Sequence, residues 1–147
     1  MMRNLYKKGV EKVFGAQSGV IPKALKDYGY LYRADRRSYD EIKKAGGFNP
    51  LSPDYRAVLT GAELRQYQFM KANGGNIIST AKSESAARDF ASANQTKEQF
   101  YIYKIRAAGL LGYDFSETNG FQNLVYAEQE EVAVDREIPI DNIELLK

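Results

Sequence analysis

The chain contains no cysteine and no histidine. The first absence removes disulfide staples, thiolate nucleophiles and cysteine-ligated metal sites. The second removes serine or cysteine catalysis through a histidine partner, and histidine-bound zinc. Acid–base and electrostatic work must therefore fall to carboxylates, Lys, Arg or Tyr, with no metal expected. No stretch approaches the roughly 18 apolar residues of a membrane-spanning helix. The opening segment, MMRNLYKKGVEKVF, is basic but lacks an apolar run followed by small residues. No classical signal peptide is read there.

What is present fits one domain, 1–147, with a substantial core. The hydrophobic share of 44% and charged share of 27% are those of an ordinary soluble globular protein. The net charge of +2 is unevenly spread: Met1 to Lys44 holds 11 Lys and Arg against 5 acids, and the remainder 10 against 14. A basic front end suits phosphates of a dinucleotide, a nucleic acid or a membrane. A solvated helix face carrying Lys7, Lys8, Lys12, Lys23 and Lys26 accounts for it as well.

Residues 1–29 read as a helical segment, with Leu5, Val10, Val13 and Phe14 loosely on one face. Tyr30–Ala34 reads as a strand, Asp35–Ala45 as a helix stopped by Gly46-Gly47, and Gly61–Asn73 as another helix. Asn76–Thr80 reads as a buried strand. Ser83 then caps a helix over Glu84–Ala93 that buries Ala86, Ala87 and Phe90. Beyond it, Phe100–Ile105, Leu124–Tyr126, Val132–Val134 and Ile138 with Ile140 read as strands, while Gly109 and Gly112 mark loops. Helices early and strands late argue for an α+β fold.

Three segments bear on chemistry. Arg33, at the end of an edge-forming strand in Leu31-Tyr32-Arg33-Ala34-Asp35-Arg36-Arg37, presents a planar fork suited to phosphate or ribose oxygens. Read locally, it also suits a surface ion pair with Asp35 or Asp40. Ser79-Thr80, at a strand end before a helix, can bond a carboxylate or a ligand, or cap that helix. In Glu128-Gln129-Glu130-Glu131-Val132-Ala133-Val134, strand alternation puts Gln129 and Glu131 on one face and Glu130, Val132 and Val134 on the other. With the valines towards the core, Gln129 and Glu131 point towards a cleft. An acidic, solvated strand entry is the plainer alternative.

These segments resemble the catalytic motifs of the bacterial ADP-ribosyltransferase toxins. Leu31 to Asp35 with Arg37 and Asp40-Glu41-Ile42 is similar to the first motif of the cholera and heat-labile enterotoxin A subunits. Ser79-Thr80 resembles their Ser-Thr-Ser motif, with Ala81 in the third place. Gln129-Glu130-Glu131 through Arg136, Ile138-Pro139 and Asp141-Asn142-Ile143 resembles the pertussis toxin catalytic subunit. The order is the family's, and the likeness spans Tyr30 to Ile143.

The resemblance implies a two-sheet β core with an NAD⁺ cleft and packed helices, and mono-ADP-ribosyl transfer with NAD⁺ as co-substrate. It implies that Arg33, with the neighbouring Ala34 and Asp35, holds the diphosphate and adenine-side ribose. Ser79 would support the nicotinamide site and orient the catalytic carboxylate, and Thr80 would steady that turn. Glu131 would stabilise charge on the nicotinamide ribose, and Gln129 would help position the acceptor. The alternative register, Glu128-Gln129-Glu130, imitates the Glu-x-Glu of arginine-modifying relatives, but the downstream match at Val132, Ile138 and Pro139 fixes the register on Glu131. Phe121 and Tyr126 are the aromatic candidates for acceptor recognition. The acceptor implied is a protein side chain before a nucleic acid, with water, as in an NAD⁺ glycohydrolase, the mildest variant. A delivered or secreted bacterial effector acting in a target-cell cytoplasm is the implied setting, and a cognate immunity or activator protein the implied further partner.

Overall fold

The computed structural model describes residues 21–50, 77–93, 99–114 and 130–146. The expected helices over Leu5–Phe14 and Gly61–Asn73, and the strand Leu124–Tyr126, lie outside the described residues.

Within them the order is β1 (Lys23–Ala24), a single 3-10 turn (Lys26–Tyr28), β2 (Tyr30–Asp35), α1 (Tyr39–Lys44) and β3 (Gly47–Phe48). Then come β4 (Ile77–Ala81), α2 (Glu84–Ala93), β5 (Tyr101–Arg106) and β6 (Leu111–Asp114). The chain finishes with β7 (Glu131–Asp135), β8 (Ile138–Pro139), a 3-10 turn (Ile140–Asn142) and β9 (Ile143–Leu145). Seven strands run antiparallel in the order β1-β6-β7-β4-β2-β5-β9, and β3 pairs with β8 in a two-stranded ribbon.

The α+β reading holds, and β2 and β5 pair over six positions from Tyr30–Arg106 to Asp35–Tyr101. β4 and β7 pair over five, from Ile77–Asp135 to Ala81–Glu131. Between these halves, β2 and β4 share one bridge among the described residues, Tyr32 with Ala81. The sheet is thus two well-laddered halves joined at a thin seam. β2 is internal to the strand order and not an edge, and Arg33 lies beside that seam.

Most of the apolar burial lies on one side. Leu25, Leu31, Ile42, Phe48, Tyr103, Ile105, Val132, Val134 and Ile138 pack into a continuous core. On the other side, Ala87 of α2 packs on Ala34 and Ile102. Alternation along β7 sends Val132 and Val134 into the first core as expected, yet Glu131 and Ala133 are buried too, so this strand is covered on both faces.

Four local expectations are corrected. The helix read over Asp35–Ala45 begins at Tyr39, because Ser38 forms a capping box with Glu41 that satisfies the first-turn amides. Asp35 stays in β2, where it accepts from the Arg37 amide. Gly112 belongs to a strand: a Cβ there would lie 2.3 Å from the Ala133 carbonyl oxygen, so glycine lets β6 close on β7. Phe90 is 54% exposed, its ring set edge-on to Phe100, while Ala86 and Ala87 are buried as read. In the expected N-terminal helical segment, residues 23–24 form β1 and only a single 3-10 turn follows.

Candidate active site

β4 and β7 lie side by side with Ser79 opposite Ala133 and Ala81 opposite Glu131. Side chains of alternate residues share a face, so Ser79 and Glu131 are diagonal neighbours. The Ser79 hydroxyl donates to Glu131 Oε2 at 2.9 Å. Glu131 is only 5% exposed. A carboxylate this buried is costly without donors, and the Ser79 hydroxyl supplies one and fixes where the oxygen sits.

The same serine carries the third group. Where β2 and β4 part at the seam, Arg33 Nη1 donates to the Ser79 carbonyl at 2.8 Å. Ser79 therefore links a guanidinium through its main chain and a carboxylate through its side chain.

Arg33 is aimed by more than Ser79. Its Nε and Nη2 reach Asp35 Oδ2 at 3.1 and 3.0 Å. Arg37 grips the same carboxylate through its amide, Nε and Nη2 at 2.9, 2.9 and 2.8 Å. Burial acts to raise the Asp35 pKa, but the hydrogen bonds from Arg37 and the charges of Arg33 and Arg37 outweigh it and hold the carboxyl below its usual value. The hydrogen bond to Asp35 correspondingly raises the Arg37 pKa, against burial. Both guanidiniums stack on Phe48, at 5.1 and 5.7 Å from its ring centroid. Phe48 is in turn set edge-on to Tyr103, whose hydroxyl donates to the Arg37 carbonyl at 2.6 Å. β3, which carries Phe48, can close on β8 because Gly47, at φ 136°, has no Cβ to strike the Ile138 carbonyl.

Of the residues singled out in the sequence, Arg33, Ser79 and Glu131 come together. Asp35 lies behind Arg33 as its anchor, 7% exposed. Ala34 is buried against Ala87 and Ile102 of the α2 cluster. Thr80 points to the opposite face from Ser79, where its hydroxyl donates to the Val132 carbonyl at 2.6 Å, fastening β4 to β7. Of the two local readings of Arg33, the ion pair with Asp35 is present, and the same guanidinium also donates to the Ser79 carbonyl. Glu130 is held elsewhere: Ser83, which caps α2 by accepting from the Ala86 amide, donates to Glu130 Oε1 at 2.8 Å. Gln129, Phe121 and Tyr126 lie outside the described residues. Sequence reasoning gave Arg37 no role and passed over Phe48. A second arginine two residues beyond Asp35 was the available signal for the former, and nothing local marked the latter.

The solved structure described as EcPltA is similar to this chain, with 23% identity over 78% of this chain and 72% of that one, at a TM-score of 0.53. A mutant of heat-labile enterotoxin, solved for the flexibility of an active-site loop in its A subunit, is also similar. It shows 25% identity over 77% of this chain and 63% of that one, at a TM-score of 0.48. The comparison with curated proteins finds no match. The fold is that of the bacterial ADP-ribosyltransferase toxins. Within that class the Scabin-like family model matches residues 31–144, and the chain belongs to the Scabin-like family.

Proposed function

We propose that this chain is an NAD⁺-dependent mono-ADP-ribosyltransferase, a toxin or effector domain with Glu131 as its catalytic carboxylate. The observation that carries the reading is the double link through Ser79, with Arg33 on its carbonyl and Glu131 on its hydroxyl. The residues fit NAD⁺ by charge. A guanidinium pre-aimed by Asp35 suits the diphosphate, and a fixed carboxylate suits a ribose that gains positive charge.

Breaking the nicotinamide–ribose bond passes through an oxocarbenium-like transition state. A carboxylate already held in place stabilises that charge with little reorganisation. Nicotinamide leaves as a neutral molecule from a cationic ring, so its departure needs no general acid. A chain without histidine can therefore run this reaction. The acceptor nucleophile then bonds to the anomeric carbon and its proton passes to solvent. We assign Gln129 to positioning that acceptor, and Phe121 and Tyr126 to recognising it.

A protein side chain is the acceptor we favour, reached by a delivered or secreted effector in a target-cell cytoplasm and restrained by an immunity protein or switched by an activator. A nucleic acid base or phosphate is the second reading, favoured by the basic residues between Met1 and Lys44. The test incubates the protein with labelled NAD⁺ and a lysate, follows nicotinamide release, and treats the products with protease or nuclease. Label lost to protease supports a protein acceptor, and label lost to nuclease the second reading. Release without transferred label marks a glycohydrolase. No release in any lysate contradicts the proposal.

A further inference from the structure

On the core side of β7, one residue past Glu131, sits a charged group that the site does not use. Asp114 of β6 stands opposite Val132, and its side chain is fully buried. Two donors meet its Oδ2: Lys82 Nζ at 2.9 Å and the hydroxyl of Tyr28. Lys82 directly follows β4, so this ion pair runs from the end of β4 to β6 and crosses over the strand between them. Lys82 also holds the residue that leads into β7 through its main chain, its amide donating to the Glu130 carbonyl at 3.0 Å. Tyr28 brings in the 3-10 turn after β1, with Lys23 Nζ 5.1 Å from its ring centroid. Burial and the bond to Asp114 push the Tyr28 hydroxyl up to about 12, so it stays a donor at neutral pH.

A buried ion pair is weak evidence for stability, because desolvation consumes most of the attraction. What it does supply is geometry, since Lys82, whose side chain is 30% exposed, cannot swing away without stranding the fully buried charge of Asp114. Resting on the functional reading above, we propose that Lys82, Asp114 and Tyr28 form a strap across β7 that holds Glu131 in register against Ser79. They are positioning residues: Asp114 stands level with Val132, whose side chain faces away from that of Glu131, and the strap acts through the strand that carries both. The Thr80 hydroxyl on the Val132 carbonyl lies on the same face and fastens the same residue.

The test compares wild type with Lys82→Arg, Asp114→Asn, and the double variant Lys82→Met with Asp114→Asn. The double variant buries no unpaired charge and so keeps the fold accessible. Two readouts are taken: nicotinamide release from NAD⁺, and amide hydrogen exchange at Glu131 and Val132 against β5. We expect kcat to fall about tenfold or more in the double variant with KM changed less than about threefold. Asp114→Asn should fall almost as far and Lys82→Arg should keep most of the rate. Exchange should quicken at Glu131 and Val132 and stay unchanged in β5. Unchanged kcat in a folded double variant, or quickened exchange throughout, overturns the strap. If wild type releases no nicotinamide, the functional reading fails by itself, and the strap is judged by exchange: local quickening keeps it, none rejects it.

Discussion

Glu130 and Glu131 are neighbours in the chain, each bonded to a serine hydroxyl at nearly the same distance, 2.8 and 2.9 Å. The surroundings separate them. Glu130 meets Ser83 at the N-terminal cap of α2, where exposed helix amides favour a negative charge wherever they occur. Glu131 is almost wholly buried within the β4–β7 ladder and reaches Ser79, which also holds Arg33. One glutamate is bonded to a helix-capping serine, and the other has a cation tied to its own hydrogen-bond partner. Composition alone cannot rank two adjacent glutamates. The alternation of the strand and the identity of the serine each one meets can.

The largest effect that sharpens this contrast lies at Arg33. Arg33→Met should lower kcat/KM for nicotinamide release by about 10²-fold or more, chiefly through KM, because the diphosphate loses a planar charged fork. Arg33→Lys should recover only part, since an ammonium cannot contact Asp35 and the Ser79 carbonyl together. Steady-state kinetics on both variants checks this.

Ser79→Ala comes next. It should cost about tenfold in kcat, the scale of one hydrogen bond to a charged group, while leaving Glu130 and the α2 cap untouched. The control is Ser83→Ala, which should change kcat by less than about threefold yet lower stability by about 1 kcal/mol through loss of the cap. Denaturant unfolding and turnover measured on the same two proteins separate the roles. Equal losses of activity would erase the contrast.

The smallest effects concern pH. The folded-state pKa of Asp35 lies below its unfolded value, so its contribution is fully present above the ordinary aspartate range and is lost as pH falls through the folded value. Asp135 has the opposite sign. Burial raises its pKa, against the charge and hydrogen bond of Arg136, so its contribution is present at low pH and lost as pH rises through the folded value. Asp35→Asn should therefore destabilise the protein near neutrality and flatten the acid limb of its melting curve. Asp135→Asn should give a small stabilisation near neutrality, read as melting temperature across a pH series.

The candidate site was largely legible before the structure, because its residues lie in segments whose patterns are local. β2, β4 and β7 announce themselves through aromatic and β-branched runs, and the Ser83 cap fixes the start of α2 at Glu84. The alternation that put Glu131 opposite Val132 in direction needs only strand geometry. The elements that escaped are those that tertiary contact decides. Gly112 looks like a loop residue until the approach of β6 to Ala133 is seen. β9, only three residues long, exists by pairing with β5 at Tyr103, Lys104 and Ile105. Asp35 looked like a helix start, but two arginines hold it in β2. The Tyr28–Asp114 bond joins residues 86 apart and leaves no trace in either neighbourhood.

The most direct test measures nicotinamide release from NAD⁺ by Glu131→Gln and Glu130→Gln side by side, each checked for an unchanged fold by circular dichroism. The account predicts that Glu131→Gln loses about 10²- to 10³-fold in kcat, as expected when a preorganised charge at the reacting centre is neutralised. Glu130→Gln should stay within about threefold of wild type. Loss at Glu130 with activity retained at Glu131 would contradict it, and would move the catalytic position to Glu130.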